Sequence, residues 1–219
     1  MLKAIVFCII AFGCYEYFSL PSASIRTLAT ENPSSTAVMK QRWNESDGTL
    51  EIKHEWTPIT KISRNMINAV LAAEDGRFFS HPGIDWRALE RAYERNKRAG
   101  KVRLGGSTIT MQLAKNLYLS TERSFLRKAK EAIIALRLEK ELSKKRILEI
   151  YLNIIELGEG IFGVEAAARH YYKKSAASLT RDEAARLAAI IPSPRKHSPH
   201  DNSKFTLRRA SIIKRKIGG

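Results

Sequence analysis

From residue 58 onward, apolar side chains return every three or four positions, the spacing of helices that each bury one stripe. In ITKISRNMINAVLAAED, Ile62, Met66, Val70 and Ala73 fall on one face, with Ile59, Ile67 and Leu71 beside it. DWRALERAYERNKRAG predicts a helix from a cap at Asp85 to a stop at Gly100. A further helix starts at Ser124 and draws its apolar positions from Leu126, Ile133, Leu136 and Leu138. KKRILEIYLNIIELG follows at once and is expected to run to Gly158. GVEAAARHYYKK predicts a shorter helix, and TRDEAARLAAIIP opens with the capping box Thr180/Glu183 and closes at Pro192. Residues 203–216 predict a basic terminal helix. No run of alternating β-branched residues stands out, so the expected fold is mostly α, without a solenoid repeat.

The first twenty residues break this pattern. AIVFCIIAFGCY, at 4–15, is uniformly apolar behind Lys3, and extension through Leu20 reaches the length of a membrane-spanning helix. A retained signal anchor is the preferred reading. A cleaved signal peptide is second, since Pro21 and the lack of an A-x-A site fit it poorly, and a lipid-modified Cys14 is third. Residues 21–56 are rich in Ser, Thr, Asn and Pro and read as a juxtamembrane linker with at most a short extended segment. The expected organisation is an anchor at 1–20, a linker at 21–56 and one domain at 57–219.

Composition narrows the chemistry. Hydrophobic residues make up 44% of 219 positions, enough for a substantial core, and the net charge of +16 suits a polyanionic partner. Cys8 and Cys14, the only cysteines, both lie in the apolar run, which removes a disulfide framework or cysteine-zinc site from the domain. No second His stands at metal spacing from His81, and no Ser/His/Asp arrangement or nucleophile elbow occurs.

The candidate chemistry concentrates in AVLAAEDGRFFSHPGIDWRAL (69–89) and LGGSTITMQLAKNL (104–117). Glu74 ends an apolar helix, where a dry environment raises a carboxylate's pKa and favours acid or base work. An isolated Glu-Asp pair, however, most often caps a turn. Glu131 stands four residues after Arg127 and shares a face with Ile134 and Leu138, close to the apolar stripe. The Gly105-Gly106-Ser107-Thr108 loop opens a helix carrying Gln112, Lys115 and Asn116, a placement suited to phosphate, although the G-K-[ST] ending of a nucleotide loop is absent. Arg123, Arg127, Lys128 and Lys130 crowd one helix start, and Lys144, Lys145 and Arg146 the next, where cations oppose the helix dipole and an anion would relieve them.

Five segments in order, EDGRFFSHPGID, GGSTITMQLAKNL, RKAKEAIIALRLE, KKRILEIYLN and GVEAAARHYYKK, resemble the peptidoglycan glycosyltransferase domain, in particular the monofunctional biosynthetic transglycosylases. The resemblance spans roughly residues 57–195. It implies a lysozyme-like α-helical fold with a small membrane-facing jaw, one N-terminal transmembrane helix, and a place on the outer, periplasmic face of the bacterial cytoplasmic membrane. It implies polymerisation of lipid II into β-1,4 glycan with inversion, with lipid II, the growing strand, the membrane and other cell-wall synthesis proteins as partners and no nucleic acid. By the same resemblance Glu74 is the general base and Glu131 the second catalytic glutamate. Lys115, Arg123 and Arg127 hold the pyrophosphate, while Asp75, Phe78, His81, Gly106, Ser107, Thr108, Gln112 and Asn116 shape the substrate cleft. A divalent cation, magnesium or manganese, is expected on the substrate pyrophosphate, with no protein-built metal site and no organic cofactor. One departure is Met111, where the family commonly has the first glutamine of a pair; altered packing is the expected consequence. The full set of S-x-x-K, S-D-N and K-T-G motifs for peptide-stem chemistry is absent. The alternatives are a lysozyme-like lytic enzyme and a non-catalytic membrane-tethered scaffold.

Overall fold

The computed structural model describes residues 15–16, 19–100, 105–122 and 124–218. Most of the helices begin where the sequence offers a side-chain cap. The first two are α1, Ala23–Thr27, and α2, Ala37–Glu45, the latter capped by Thr36 on Met39 N–H. Next come α3, Arg64–Glu74, capped by Ser63, and α4, Trp86–Ala99, capped by Asp85 and closed by Gly100 in the left-handed region. Then follow α5, Ile109–Tyr118, capped by Thr108; α6, Phe125–Glu141, capped by Ser124; and α7, Lys144–Ile154, capped by Ser143. The last three are α8, Val164–Tyr172; α9, Arg181–Ile190, behind the Thr180/Glu183 box; and α10, Lys204–Lys216, capped by Ser203.

Three differences from the sequence reading have physical causes. Residues 21–56 are not only a linker: α1 and α2 bury Ile25, Leu28, Val38 and Met39, and each is too short to show a helical period. The helix expected to reach Gly158 ends at Ile154. Its continuation, β2 (Glu156–Gly158), joins β1 (Lys53–His54) and β3 (Ile161–Phe162) in a sheet of order β1-β3-β2, with β1 parallel and β2 antiparallel to β3. Strands of two or three residues leave no alternation to read. Finally, α6 buries Ile134, Ala135 and Leu138, whereas Leu126 and Leu136 stand about half exposed.

The core forms where α9 packs on α10 and α3, and where α5 packs on α6 and α7. Buried Asn153 clamps the incoming chain to α7: its Oδ1 accepts from Thr57 N–H at 2.7 Å and its Nδ2 donates to Thr57 O at 2.9 Å. Gly163, at φ 83°, passes so close to Asn153 that an added Cβ would meet its carbonyl oxygen at 2.4 Å, so only glycine fits there. Among the described residues no helix is long and apolar enough to cross a membrane; the apolar run of the expected anchor, 4–14, lies outside them.

Candidate active site

Glu74 is the last residue of α3, so its side chain leaves the helix where the backbone turns away at Asp75. Its carboxylate is nearly enclosed. Oε2 accepts from Gln112 Nε2 at 2.9 Å and Oε1 from Arg209 Nη2 at 3.1 Å. Burial raises its pKa, while the Gln112 hydrogen bond and the charges of Arg209 and Lys115 oppose the rise; the net shift is upward. Gln112 is itself oriented, because the hydroxyl of fully buried Tyr151 donates to its Oε1 at 2.9 Å. With the amide oxygen committed to Tyr151, the amide nitrogen faces Glu74.

Asp75 points the other way and is fully engaged. His81 Nε2 lies 3.0 Å from one of its oxygens, and Oδ2 accepts from Ile109 N–H, the first residue of α5, at 3.0 Å. It therefore ties the turn after α3 to the start of α5. Phe78, His81 and Thr108 are buried with it. Thr108 Oγ1 donates to Gly83 O and accepts from Met111 N–H, locking the glycine loop to the Pro-Gly turn. Gly106 belongs here for a steric reason, as a Cβ would meet Leu89 of α4 at 2.4 Å. Met111 is buried in the core, consistent with a packing role.

A second carboxylate, Glu131, is buried in α6 between two cations. Arg127 pairs with its Oε1 and Lys128 Nζ lies 2.6 Å from its Oε2. Lys128 also donates to Ser107 Oγ at 2.7 Å, which joins the glycine loop to α6. Burial, then Arg127 and Lys115, pull the Lys128 pKa down to about 8. Burial and Arg127 likewise lower that of Lys115. Three cations thus crowd one region with a single carboxylate between two of them.

A cavity of about 400 Å³ is walled by Gln112, Lys115, Asn116 and Arg127, and closed by Arg42, Thr121, Glu156 and the turn Ile191–Pro194. Glu74 and Glu131 each lie one side chain behind this wall, through Gln112 and Arg127. Arg123 falls outside the described residues. Of the residues expected at the site, Gln112, Lys115, Asn116 and Arg127 line this cavity and Glu74 and Glu131 contact its wall, whereas Asp75, Phe78, His81, Gly106, Ser107 and Thr108 do not line it.

Several residues at the cleft escaped the sequence reading. Arg209 lies in a helix that the sequence marks only as basic. Tyr151 lies within KKRILEIYLN, and Lys128 in a charge cluster. Arg42, from the supposed linker, pairs with Glu156 at 3.0 Å, and Gln41 brackets Thr121 through two hydrogen bonds. No local pattern marks long-range partners of this kind.

The sequence model of the family described as Transglycosylase matches residues 42–217. The chain belongs to the transglycosylase family. It is 50% identical over 190 residues to a biosynthetic peptidoglycan transglycosylase of Herminiimonas arsenicoxydans, a match covering 85% of this chain and 82% of that protein. To the protein of the same description from Thiobacillus denitrificans it is 52% identical over 192 residues, with the same coverage. For the one from Janthinobacterium the identity is 49% over 189 residues, covering 85% and 82%. The matched range begins inside α2, so the helix that carries Arg42 belongs to the family domain in part.

Proposed function

We propose that this transglycosylase polymerises lipid II into β-1,4 glycan strands for the bacterial cell wall, with Glu74 as general base. The observation that carries the reading is a nearly buried glutamate of raised pKa beside a cation-walled cavity. Glu74 takes the proton from the 4-hydroxyl of the acceptor sugar as that oxygen attacks the donor's anomeric carbon. The new C–O bond forms as the bond to the pyrophosphate oxygen breaks, and the electron pair leaves with the pyrophosphate, inverting the anomeric centre. Gln112 and Arg209 occupy part of the carboxylate's acceptor capacity and fix its plane, leaving lone pairs for the incoming proton.

Lys115, Arg127 and Lys128 receive the developing negative charge. Fixed charges of this kind stabilise the departing group without reorganisation. Their crowding disfavours the empty cleft and favours a dianion, which supports a pyrophosphate leaving group over simple hydrolysis of a glycan. Glu131 keeps Arg127 and Lys128 apart and aimed. A divalent cation, magnesium or manganese, is assigned to the substrate pyrophosphate: Glu74, Glu131 and Glu156 all face arginine or lysine, and among the described residues no cluster of three acidic, His or Cys side chains offers a cage. No step is routed through it.

The +16 charge and the exposed aromatics of α4 support a place on an anionic membrane face. Trp86 and Tyr93, 69% and 64% exposed, stand seven residues apart on one side of α4, as interfacial aromatics do. Residues 1–20 are assigned to an anchor that leaves the catalytic domain on the outer side.

The test is polymerisation of lipid II by the chain and by Glu74→Gln. Glycan polymer is expected from the first and a loss of about a hundred- to ten-thousand-fold or more in the second. Equal rates overturn the assignment of the base. Release of muropeptides from finished glycan, without polymer from lipid II, would identify a lytic enzyme instead.

A further inference from the structure

Arg42 and Glu156 meet at the edge of the cavity, with side chains only 13% and 10% exposed. Arg42 holds the carboxylate as a fork. Its Nε donates to Oε1 at 3.0 Å and to Oε2 at 3.2 Å, and its Nη2 donates to Oε2 at 3.1 Å. The other terminal nitrogen, Nη1, donates to Glu45 Oε2 at 2.9 Å. Planar contacts of this kind fix the orientation of both groups. Each partner also comes from a regular element. Arg42 stands one turn after Val38 on α2, which packs on α5, and Glu156 opens β2 directly after Ile155. Val38 and Ile155 line the cavity beside the pair.

Glu156 is the one carboxylate among the described residues that line this cavity, and it shares the lining with Lys115 and Arg127. Left bare, it would compete with a pyrophosphate for those cations. Arg42 removes the conflict. At Lys115, burial first and Arg127 next lower the pKa, Glu156 opposes them, and Arg42 offsets Glu156. The pair is neutral in sum but keeps acceptor capacity, because a carboxylate has about four lone-pair sites and Arg42 engages only part of them. The cations thus come from α5 and α6, while α2 and β2 supply a neutral acceptor flanked by apolar side chains. Such an acceptor suits an uncharged donor. In a cavity that binds a sugar pyrophosphate, the uncharged donors are the hydroxyl and amide N–H groups of the sugar.

We propose that Glu156 is a further substrate-binding residue, which accepts a hydrogen bond from a hydroxyl or amide N–H of the sugar carried on the pyrophosphate, and that Arg42 is the positioning residue that aims and neutralises it. This rests on the lipid II reading above and adds to it a sugar contact supplied by α2 and β2. A site built to accept from a substrate donor discriminates strongly against a ligand that lacks the donor, because its own buried acceptor is then left unpaired. The sugar and the bare pyrophosphate should therefore respond differently when the pair is altered.

Two measurements on the full chain in detergent test this: KM for lipid II during polymerisation, and Kd for inorganic pyrophosphate by calorimetry. Glu156→Gln keeps the shape but exchanges one acceptor oxygen for a donor. KM should rise about tenfold or more, while pyrophosphate binds as tightly as in the parent or more tightly, since the cavity has lost an anion. Arg42→Met frees the carboxylate charge, so KM and the pyrophosphate Kd should both rise, the latter about tenfold. In the double variant the pyrophosphate Kd should return towards the parent value while KM stays raised. Arg42→Lys keeps the charge without the fork; it should leave pyrophosphate binding near the parent and raise KM several-fold. If Tm shows that Arg42→Met does not fold, Arg42→Lys and Glu156→Gln carry the same decision. A merely structural clamp would weaken both ligands in parallel in every variant, without recovery in the double variant, and that result overturns the proposal. Polymer from the parent together with an unchanged KM in Glu156→Gln refutes the sugar contact alone. A parent chain that binds pyrophosphate but makes no polymer from lipid II refutes the functional reading, and the contact with it.

Discussion

Arg209 and Glu74, 135 residues apart, meet through Nη2 and Oε1 at 3.1 Å. Arg209 is held in turn by donating through Nε to Ala189 O at 3.0 Å, so α10 and α9 together present a fixed positive charge to the proposed base. Burial pushes Glu74 towards its neutral form, and Arg209 opposes this. The acid limb of the polymerisation rate should therefore lie above the ordinary carboxylate range in the parent chain. In Arg209→Gln it should move to still higher pH, because the lowering charge is gone and the base ionises later. Arg209→Lys should recover part of the shift. The pH dependence of kcat reads this directly, and an acid limb unchanged in Arg209→Gln would show that the contact does not govern the base.

Tyr151 acts on the base through Gln112. Tyr151→Phe removes the donor to Gln112 Oε1 without altering the packing of the ring, and the amide is then free to turn its oxygen towards Glu74. The expected cost is about 0.5–1.5 kcal/mol in stability, with a fall in kcat larger than any change in KM. In a double-mutant cycle with Gln112→Ala, the two losses in kcat should be far from additive, as expected for residues in one hydrogen-bonded network. Additive effects would place Tyr151 outside the catalytic relay.

The helical domain is legible in the sequence because each long helix announces itself twice, by a stripe of period 3.6 and by a Ser, Thr or Asp cap, as at Ser63, Asp85, Ser124 and Thr180. Glu74 is legible as a candidate because it terminates such a stripe. What cannot be read is whatever depends on tertiary approach. Arg209 differs from its basic neighbours in α10 only by reaching the Glu74 carboxylate, and Arg42 gains its meaning from Glu156, 114 residues away. The β1-β3-β2 sheet is hidden for a related reason: its strands are held by pairing across the chain, not by any pattern of their own. The split between Glu74 and Asp75 is a matter of direction. Adjacent residues at a helix end point apart, one towards the cavity wall and the other into the turn that carries His81.

Lys128 gives the cleft an alkaline limit. With a pKa of about 8, lowered first by burial and then by Arg127 and Lys115, its ammonium loses its proton as the pH rises through that value. The charge available to a pyrophosphate falls accordingly, so KM for the lipid-linked substrate should rise above about pH 8 while kcat changes less. Lys128→Arg keeps the charge and should flatten this rise. Lys128→Met should show a raised KM already at neutral pH, with little further change on the alkaline side. An alkaline limb that persists unaltered in Lys128→Met would assign it to another group.

Gly106 tests whether the glycine loop must sit against α4. A Cβ at this position meets Leu89 Cδ2 at 2.4 Å and Leu89 Cα at 3.2 Å, so Gly106→Ala cannot be absorbed by a side-chain turn alone. Overpacking of this kind costs about 1–3 kcal/mol, and the strain is relieved by moving the loop away from α4, which carries Ser107 off Lys128. The expected outcome is a lowered Tm and a raised KM. Leu89→Ala in the same chain removes the clashing methyls and should restore KM towards the parent value, although Tm stays low because Leu89 packs against the core. A KM that remains raised in the double variant would mean that Gly106 serves the substrate by its own backbone rather than by its fit to Leu89.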